Sequence, residues 1–216
     1  MNQPKIRVFI VDDHPLVRDW LKNLLQTERD FEVIGEADEA LSALAAMTED
    51  PPDIAIVDLS LKRGSGLDVI KSLRARAPEV RSLVLSMHEG ISDIERALRA
   101  GARGYVMKGE SSGQILPAIR CVHAGQIYAT PEVFSRLFER STGSSTGDIA
   151  DVLSDRELQV FRRIGEGHTT RRIADELRVS QKTVQTYCAR IKEKIGLDDS
   201  SELALTAIRW RQAEPF

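Results

Sequence analysis

Hydrophobic residues in the first 125 positions fall into short runs separated by stretches of helical period. The runs are IRVFIV (6–11), FEVIG (31–35), DIAIVD (53–58), SLVLS (82–86) and GYVMK (104–108). Amphipathic segments lie between and after them: Pro15 to Thr27, Glu39 to Thr48, Gly66 to Ala77, Ile91 to Ala100 and Ser112 to Ala124. Pro15 opens the first without loss, because the first amides of a helix have no internal partner. Pro51, Pro52 and Pro78 fall between elements, where a missing N–H does no harm. Five strand–helix units with β-branched runs predict an α/β doubly wound, five-stranded parallel sheet of flavodoxin-like form, covered on both faces. Right-handed crossovers follow.

The pattern changes after residue 125. PEVFSRLFER (131–140) reads as a bridging helix and STGSSTGD (141–148) as a flexible linker of small polar residues. Beyond it nothing has strand period. LSDRELQVFRRIGEG, HTTRRIADELRV, SQKTVQTYCARIKEKIG and SSELALTAIRWRQ read as four helices. Ser154 and Glu157 have capping-box spacing and mark the first start. The expected organisation is an α/β domain over 1–125, a linker with a bridging helix over 126–150, and a smaller all-α domain over 151–216.

Composition adds limits. The chain has 216 residues, 42% hydrophobic and 29% charged, with a net charge of −3. No apolar run approaches the roughly 18–20 residues that cross a bilayer. The N-terminus carries no basic segment followed by a long apolar core, so a cytoplasmic location without a membrane partner is expected. Cys121 and Cys188 stand far apart, each on the apolar side of a helix, and read as buried thiols. Charge is unevenly spread. Residues 1–130 hold 16 basic and 19 acidic side chains, whereas residues 162–194 hold 9 basic and 4 acidic. Only the late window suits a polyanion.

The strand ends carry the candidate chemistry. In a doubly wound sheet, ligands bind beyond the carboxyl ends of the strands. Those ends hold Asp12 and Asp13 after the first run, Asp58 after the third, Ser86 after the fourth and Lys108 after the fifth. A single aspartate at such a place is ordinarily a helix cap or turn former. Three carboxylates converging on one crevice repel, and a hard divalent cation resolves that; Mg2+ suits a few carboxylates with waters and a phosphate oxygen. A carboxylate beside a cation attacks phosphorus, which makes Asp58 the candidate nucleophile. Mg2+ and the Lys108 ammonium would neutralise the phosphoryl group in flight, and Ser86 would offer it a hydroxyl.

VFIVDDHPLVR, the aspartate of DIAIVDLSL, VLSMHE and AGARGYVMK resemble the receiver domain of NarL/FixJ-type bacterial response regulators, over about residues 5–125. The resemblance implies Asp58 as phosphoacceptor, with Asp12, Asp13, Asp58 and the Ser60 backbone carbonyl as magnesium ligands. It implies Ser86 and Lys108 as phosphoryl contacts and Tyr105 as the aromatic that changes rotamer. From the residues alone Tyr105 is a half-buried strand aromatic, and both readings stand. Gly109 departs from the pattern, since many receivers have proline after the lysine. A sensor histidine kinase would be the phosphoryl donor. The rival is a magnesium-dependent phosphohydrolase, which needs a second catalytic aspartate two residues past the nucleophile; Ser60 stands there instead.

In the late segment Val184, Cys188, Ile191 and Ile195 make one apolar stripe of a helix. Lys182, Thr186 and Ala189 lie opposite, with Gln185 and Arg190 beside them. A basic and polar face with small residues fits the DNA major groove. LSDRELQVFRRIGEGHTTRRIADELRVSQKTVQTYCARIKEKIGL resembles the LuxR-type helix-turn-helix over about residues 151–212. The resemblance implies double-stranded DNA as partner and a homodimer when phosphorylated. Thr170, Arg171 and Arg172 stand where the family commonly has Asn-Lys-Glu, and Gln185 and Tyr187 where it has Lys and His. Phosphate contacts are therefore expected from Arg171, Arg172, Lys182, Arg190 and Lys192, while Gln185 can pair with adenine. Leu203, Ala207 and Trp210 on the last helix suit either a dimer contact or closure of the small core.

Overall fold

The computed structural model describes residues 4–87, 90–109, 112–131, 133–134 and 149–213. The chain divides into two compact units, one within residues 1–139 and the other within 140–216.

The first unit alternates strands and helices in the expected order: β1 (Ile6–Val11), α1 (Pro15–Gln26), β2 (Phe31–Ala37), α2 (Ala40–Glu49), β3 (Ile54–Val57), α3 (Gly66–Arg76), β4 (Arg81–Ser86), α4 (Ile91–Ala100), β5 (Gly104–Met107) and α5 (Ile115–His123). The sheet order is β2-β1-β3-β4-β5-β6, and every pairing is parallel. The sixth strand, β6 (Tyr128–Ala129), corrects the expected five. It pairs Gly104 with Tyr128 and Tyr105 with Ala129, in a stretch read as linker. Two residues are too few to show a strand period.

Alternation along each strand sorts the core into two layers. Phe9, Val11, Ala55, Val57, Val84 and Tyr105 pack toward α2, α3 and α4. Val8, Ile10, Ile54, Ile56, Leu83 and Leu85 pack toward α1 and α5. The chain leaves β1 for β2 on one side and returns to β3 on the other. The reversal therefore opens between the carboxyl ends of β1 and β3.

The second unit is helical among its described residues: α6 (Ile149–Val152), α7 (Asp155–Gly165), α8 (Thr170–Leu177), α9 (Gln181–Ile195) and α10 (Ser200–Ala213). The short α6 adds to the four helices expected. The bridging helix and the linker over 131–148 lie almost wholly outside the described residues. Local caps define the starts. Ser154 accepts from Glu157 N–H while Glu157 accepts from Ser154 N–H, a complete capping box. Thr169 and Ser180 cap α8 and α9. Leu158, Phe161, Ile173, Val184, Ile191, Leu203 and Ala207 form the core.

Two expectations are settled by packing. Leu203 and Ala207 are buried in this core and Trp210 packs on it, so this face of α10 closes the unit. Cys121 and Cys188 are half-buried rather than buried, and both are free thiols. Among the described residues, no helix is long and apolar enough to cross a membrane.

Candidate functional site

Strand register assembles the first site. Val11 lies beside Val57 across β1 and β3, so the next residues, Asp12 and Asp58, emerge as neighbours. Ser86 lies beside Met107 across β4 and β5, which brings Lys108 to the same rim. Asp58 N–H donates to the Val11 carbonyl at 2.8 Å, and Lys108 N–H donates to the Ser86 carbonyl at 2.9 Å. The ladder thus continues one residue into the site.

Asp12, Asp13, Asp58 and Ser86 are all buried. Lys108 Nζ donates to Asp58 Oδ2 at 2.7 Å and lies 2.7 Å from Asp12 Oδ2, with a side chain only 7% exposed. Backbone amides hold three of the four remaining oxygens. His14 N–H donates to Asp12 Oδ1 at 2.8 Å, Lys62 N–H to Asp13 Oδ2 at 2.8 Å, and Ser60 N–H to Asp58 Oδ1 at 3.2 Å. Burial pushes the Asp58 carboxyl above the usual carboxylate range, with Asp12 adding to the push and Lys108 opposing it. Burial also opposes the charge on Lys108, but Asp58 and Asp12 outweigh it and raise the lysine.

One buried ammonium does not balance three buried carboxylates, and the Lys62 ammonium, 3.9 Å from Asp13 Oδ2, is exposed to solvent. Asp13 Oδ1 is buried and has no hydrogen-bond donor. A buried carboxylate oxygen that accepts no hydrogen bond, in a crevice of three carboxylates, fits a cation ligand. One oxygen or nitrogen from each of Asp12, Asp13, His14 and Asp58 falls within 4.8 Å of the others, so the donor set fits a divalent ion.

Some neighbours of the site have no sequence signal. Arg18 Nη1 donates to the Asp12 carbonyl at 2.7 Å, and its Nε lies 3.5 Å from Glu36 Oε1. Gly66 lies directly beneath the Asp58 backbone. His14 was legible only as the residue after the acidic pair. Tyr105 is fully buried against the sheet, not half-buried as its strand position suggested.

The second candidate site is the outer face of α9. Val184 and Ile191 are buried, and Cys188 and Ile195 pack against the same core, as the stripe predicted. Lys182, Gln185, Thr186, Ala189 and Arg190 are exposed. Two of the expected cations are engaged within the protein. Lys192 Nζ donates to the Asp198 carbonyl at 3.4 Å, and Arg172 Nε donates to Glu176 Oε1 at 2.9 Å. Arg171 is exposed on α8. Tyr187 packs on the core, so its ring is half-buried.

Comparison with known proteins agrees on both units. Residues 8–120 match the response regulator receiver domain, and residues 151–207 match the bacterial regulatory proteins of the luxR family. The chain belongs to the LuxR-type response regulators. The response regulator GacA of Pseudomonas aeruginosa is 35% identical over 205 residues, covering 94% of this chain and 96% of GacA. The DNA-binding transcriptional activator DevR/DosR of Mycobacterium tuberculosis is 30% identical over 211 residues, covering 97% of each. Among solved structures, RcsB of Salmonella enterica, bound to a promoter in the presence of the phosphomimetic BeF3−, superposes with a TM-score of 0.66. It is 25% identical, and the match covers 94% of this chain and 98% of that one. A LuxR-family two-component response regulator from Aurantimonas gives a TM-score of 0.62 at 30% identity, over 64% of this chain and 99% of that one.

This response regulator therefore joins a receiver to a LuxR-type DNA-binding unit, and its curated relatives include named transcriptional regulators. The receiver carries an acidic cluster able to hold a metal ion.

Proposed function

We propose that Asp58 accepts a phosphoryl group from a sensor histidine kinase and that phosphorylation switches on sequence-specific DNA binding. One observation carries the reading: the Lys108 ammonium sits 2.7 Å from both Asp58 Oδ2 and Asp12 Oδ2 in a buried acidic pocket. A cation so placed compensates charge on the nucleophile before transfer and on the phosphoryl group after it.

In the transfer an Asp58 carboxylate oxygen forms the O–P bond as the donor's N–P bond breaks, and the bonding electrons return to the imidazole of the kinase. Lys108 then moves from the carboxylates to a phosphoryl oxygen, and the Ser86 hydroxyl donates to another. Asp12, Asp13, Asp58 and the Ser60 carbonyl would hold Mg2+, which supplies further charge neutralisation on the phosphoryl oxygens. Tyr105 is the switch aromatic, because Ser86 and Tyr105 lie on neighbouring strands whose register places Val84 beside Tyr105. Recruitment of Ser86 selects one of two arrangements of β4, β5 and their helices.

The output is the outer face of α9. Lys182, Gln185, Thr186, Ala189 and Arg190 face the major groove, with Arg171, Arg172 and Lys192 toward phosphates. Gln185 pairs with adenine. Two copies of the chain, associated as a homodimer when phosphorylated, read half-sites a helical turn or a multiple apart. The protein works in the cytoplasm and turns over no substrate. RcsB, solved on a promoter with a phosphomimetic, supports the coupling by analogy.

The test is exposure to acetyl phosphate and Mg2+, comparing the wild type with Asp58→Asn. We expect one phosphoryl group per wild-type chain by mass, none on the variant, and a rise in DNA affinity for the wild type alone. Equal labelling of the variant removes Asp58 from the mechanism. Continuous release of phosphate over many turnovers would instead favour a phosphohydrolase.

A further inference from the structure

The phosphoryl-transfer reading leaves one group in the pocket without a task. The His14 Nδ1 atom lies 2.8 Å from Asp13 Oδ1, 3.1 Å from Asp12 Oδ1 and 3.9 Å from Asp58 Oδ2. In an octahedron with bonds of about 2.1 Å, adjacent donor atoms are about 3.0 Å apart and opposite donors about 4.2 Å. The nitrogen thus stands at adjacent-ligand spacing from both members of the acidic pair. Its separation from Asp58 is close to that of opposite ligands.

A second observation points the same way. Asp13 Oδ1 has no aligned hydrogen-bond donor even though Nδ1 is only 2.8 Å away. Two ligand atoms in close approach without a hydrogen bond between them are arranged as they would be around a shared ion. The Nδ1 contact with Asp12 Oδ1 does satisfy hydrogen-bond geometry. Ligation therefore requires the neutral imidazole to carry its proton on Nε2, and with 56% of the side chain exposed, solvent can exchange that proton.

We propose that His14 is a further protein ligand of the receiver's cation and that it biases the site toward first-row transition ions over magnesium. This rests on the reading that Asp12, Asp13 and Asp58 hold the ion. Magnesium takes oxygen donors and gains little from a nitrogen, whereas imidazole is a preferred ligand of the later divalent ions. The consequence for the protein is a receiver whose charge-compensating ion depends on which divalent metal is available.

Cobalt(II) is the probe, because its bound imidazoles give hyperfine-shifted ring C–H resonances, which do not exchange with solvent. Cobalt and magnesium affinities are measured by calorimetry on the full chain, for wild type, His14→Ala and Asp13→Asn. We expect the cobalt affinity of His14→Ala to fall about tenfold while its magnesium affinity stays within about twofold. Shifted resonances of one imidazole should appear in the cobalt-loaded wild type and vanish in that variant. Absence of those resonances from the wild type, or equal losses for both ions in His14→Ala, overturns the proposal. Magnesium binding that Asp13→Asn abolishes keeps the underlying cation site standing even then. Failure of the wild type to bind either ion overturns both.

Discussion

A Cβ placed on Gly66 would lie 2.0 Å from the backbone carbonyl oxygen of Asp58 and 2.8 Å from the Leu59 Cα. The first residue of α3 is therefore in direct contact with the backbone that carries the candidate nucleophile. The Gly66 N–H also donates to the Leu59 carbonyl at 3.2 Å, which ties the helix start to the same loop. Gly66→Ala must displace main chain rather than a side-chain tip. We expect a loss of about 1–3 kcal/mol, the usual cost of overpacking, together with slower labelling of Asp58. Urea midpoints and acetyl phosphate labelling rates test this. An unchanged midpoint with full labelling would mean that the loop moves aside freely.

Asp13→Asn should separate stability from function. The amide oxygen can still accept from Lys62 N–H, as Asp13 Oδ2 does at 2.8 Å. The substitution also removes one of three buried carboxylates from a pocket in which, of the three, Lys108 pairs only with Asp12 and Asp58. The Lys62 ammonium, 3.9 Å from Asp13 Oδ2, is exposed and screened by solvent. Without divalent ions the variant should be more stable than wild type by about 1–2 kcal/mol, as expected where a functional site stores repulsion. Added magnesium should raise the melting temperature of the wild type and leave the variant unmoved. Thermal melts with and without magnesium decide it. A variant less stable than wild type in the metal-free state contradicts the repulsion argument.

Glu157 joins two ends of the second unit. Its carboxylate accepts from Ser154 N–H at 2.8 Å and from Lys194 Nζ at 2.6 Å, within a side chain that is nearly buried. Burial alone would raise its pKa, but Lys194 and Ser154 outweigh burial and lower it from the ordinary 4.5. A depressed carboxylate adds stability that is fully present above the unfolded value and fades as pH falls through the folded one. Glu157→Gln should therefore cost about 1–2 kcal/mol at neutral pH. The gap between wild type and variant should narrow steadily below pH 4.5. Denaturant midpoints at neutral and acid pH report it, and a gap independent of pH would discount the Lys194 pair.

Lys182 and Arg172 differ in what their charges already do. Lys182 is exposed on the outer face of α9, whereas the Arg172 guanidinium is held by Glu176 at 2.9 Å. Lys182→Ala should weaken DNA binding for every sequence and reduce the log–log salt slope by about 0.9, the value of one phosphate contact. Arg172→Ala should change the slope less, because Glu176 already offsets that charge. Binding isotherms over a salt series measure both slopes. A larger change from Arg172→Ala would mean that DNA draws the arginine away from Glu176.

Much of the molecule was legible in the chain because the relevant chemistry is local or periodic. Apolar runs ended in Asp12, Asp58, Ser86 and Lys108, and the capping box at Ser154 and Glu157 repeats within three residues. The stripe from Val184 to Ile195 needed only helical period. Tertiary structure decided which of these groups meet. Lys108 reaches Asp58 across 50 residues of sequence, and only parallel register, with Val11 beside Val57 and Ser86 beside Met107, makes that contact. The same holds for Gly66 under Asp58, for β6 along β5, and for the inward faces of Tyr187 and Trp210. Sequence period sets which side of an element is apolar; what lies opposite that side depends on chain segments far away, and no local pattern encodes it.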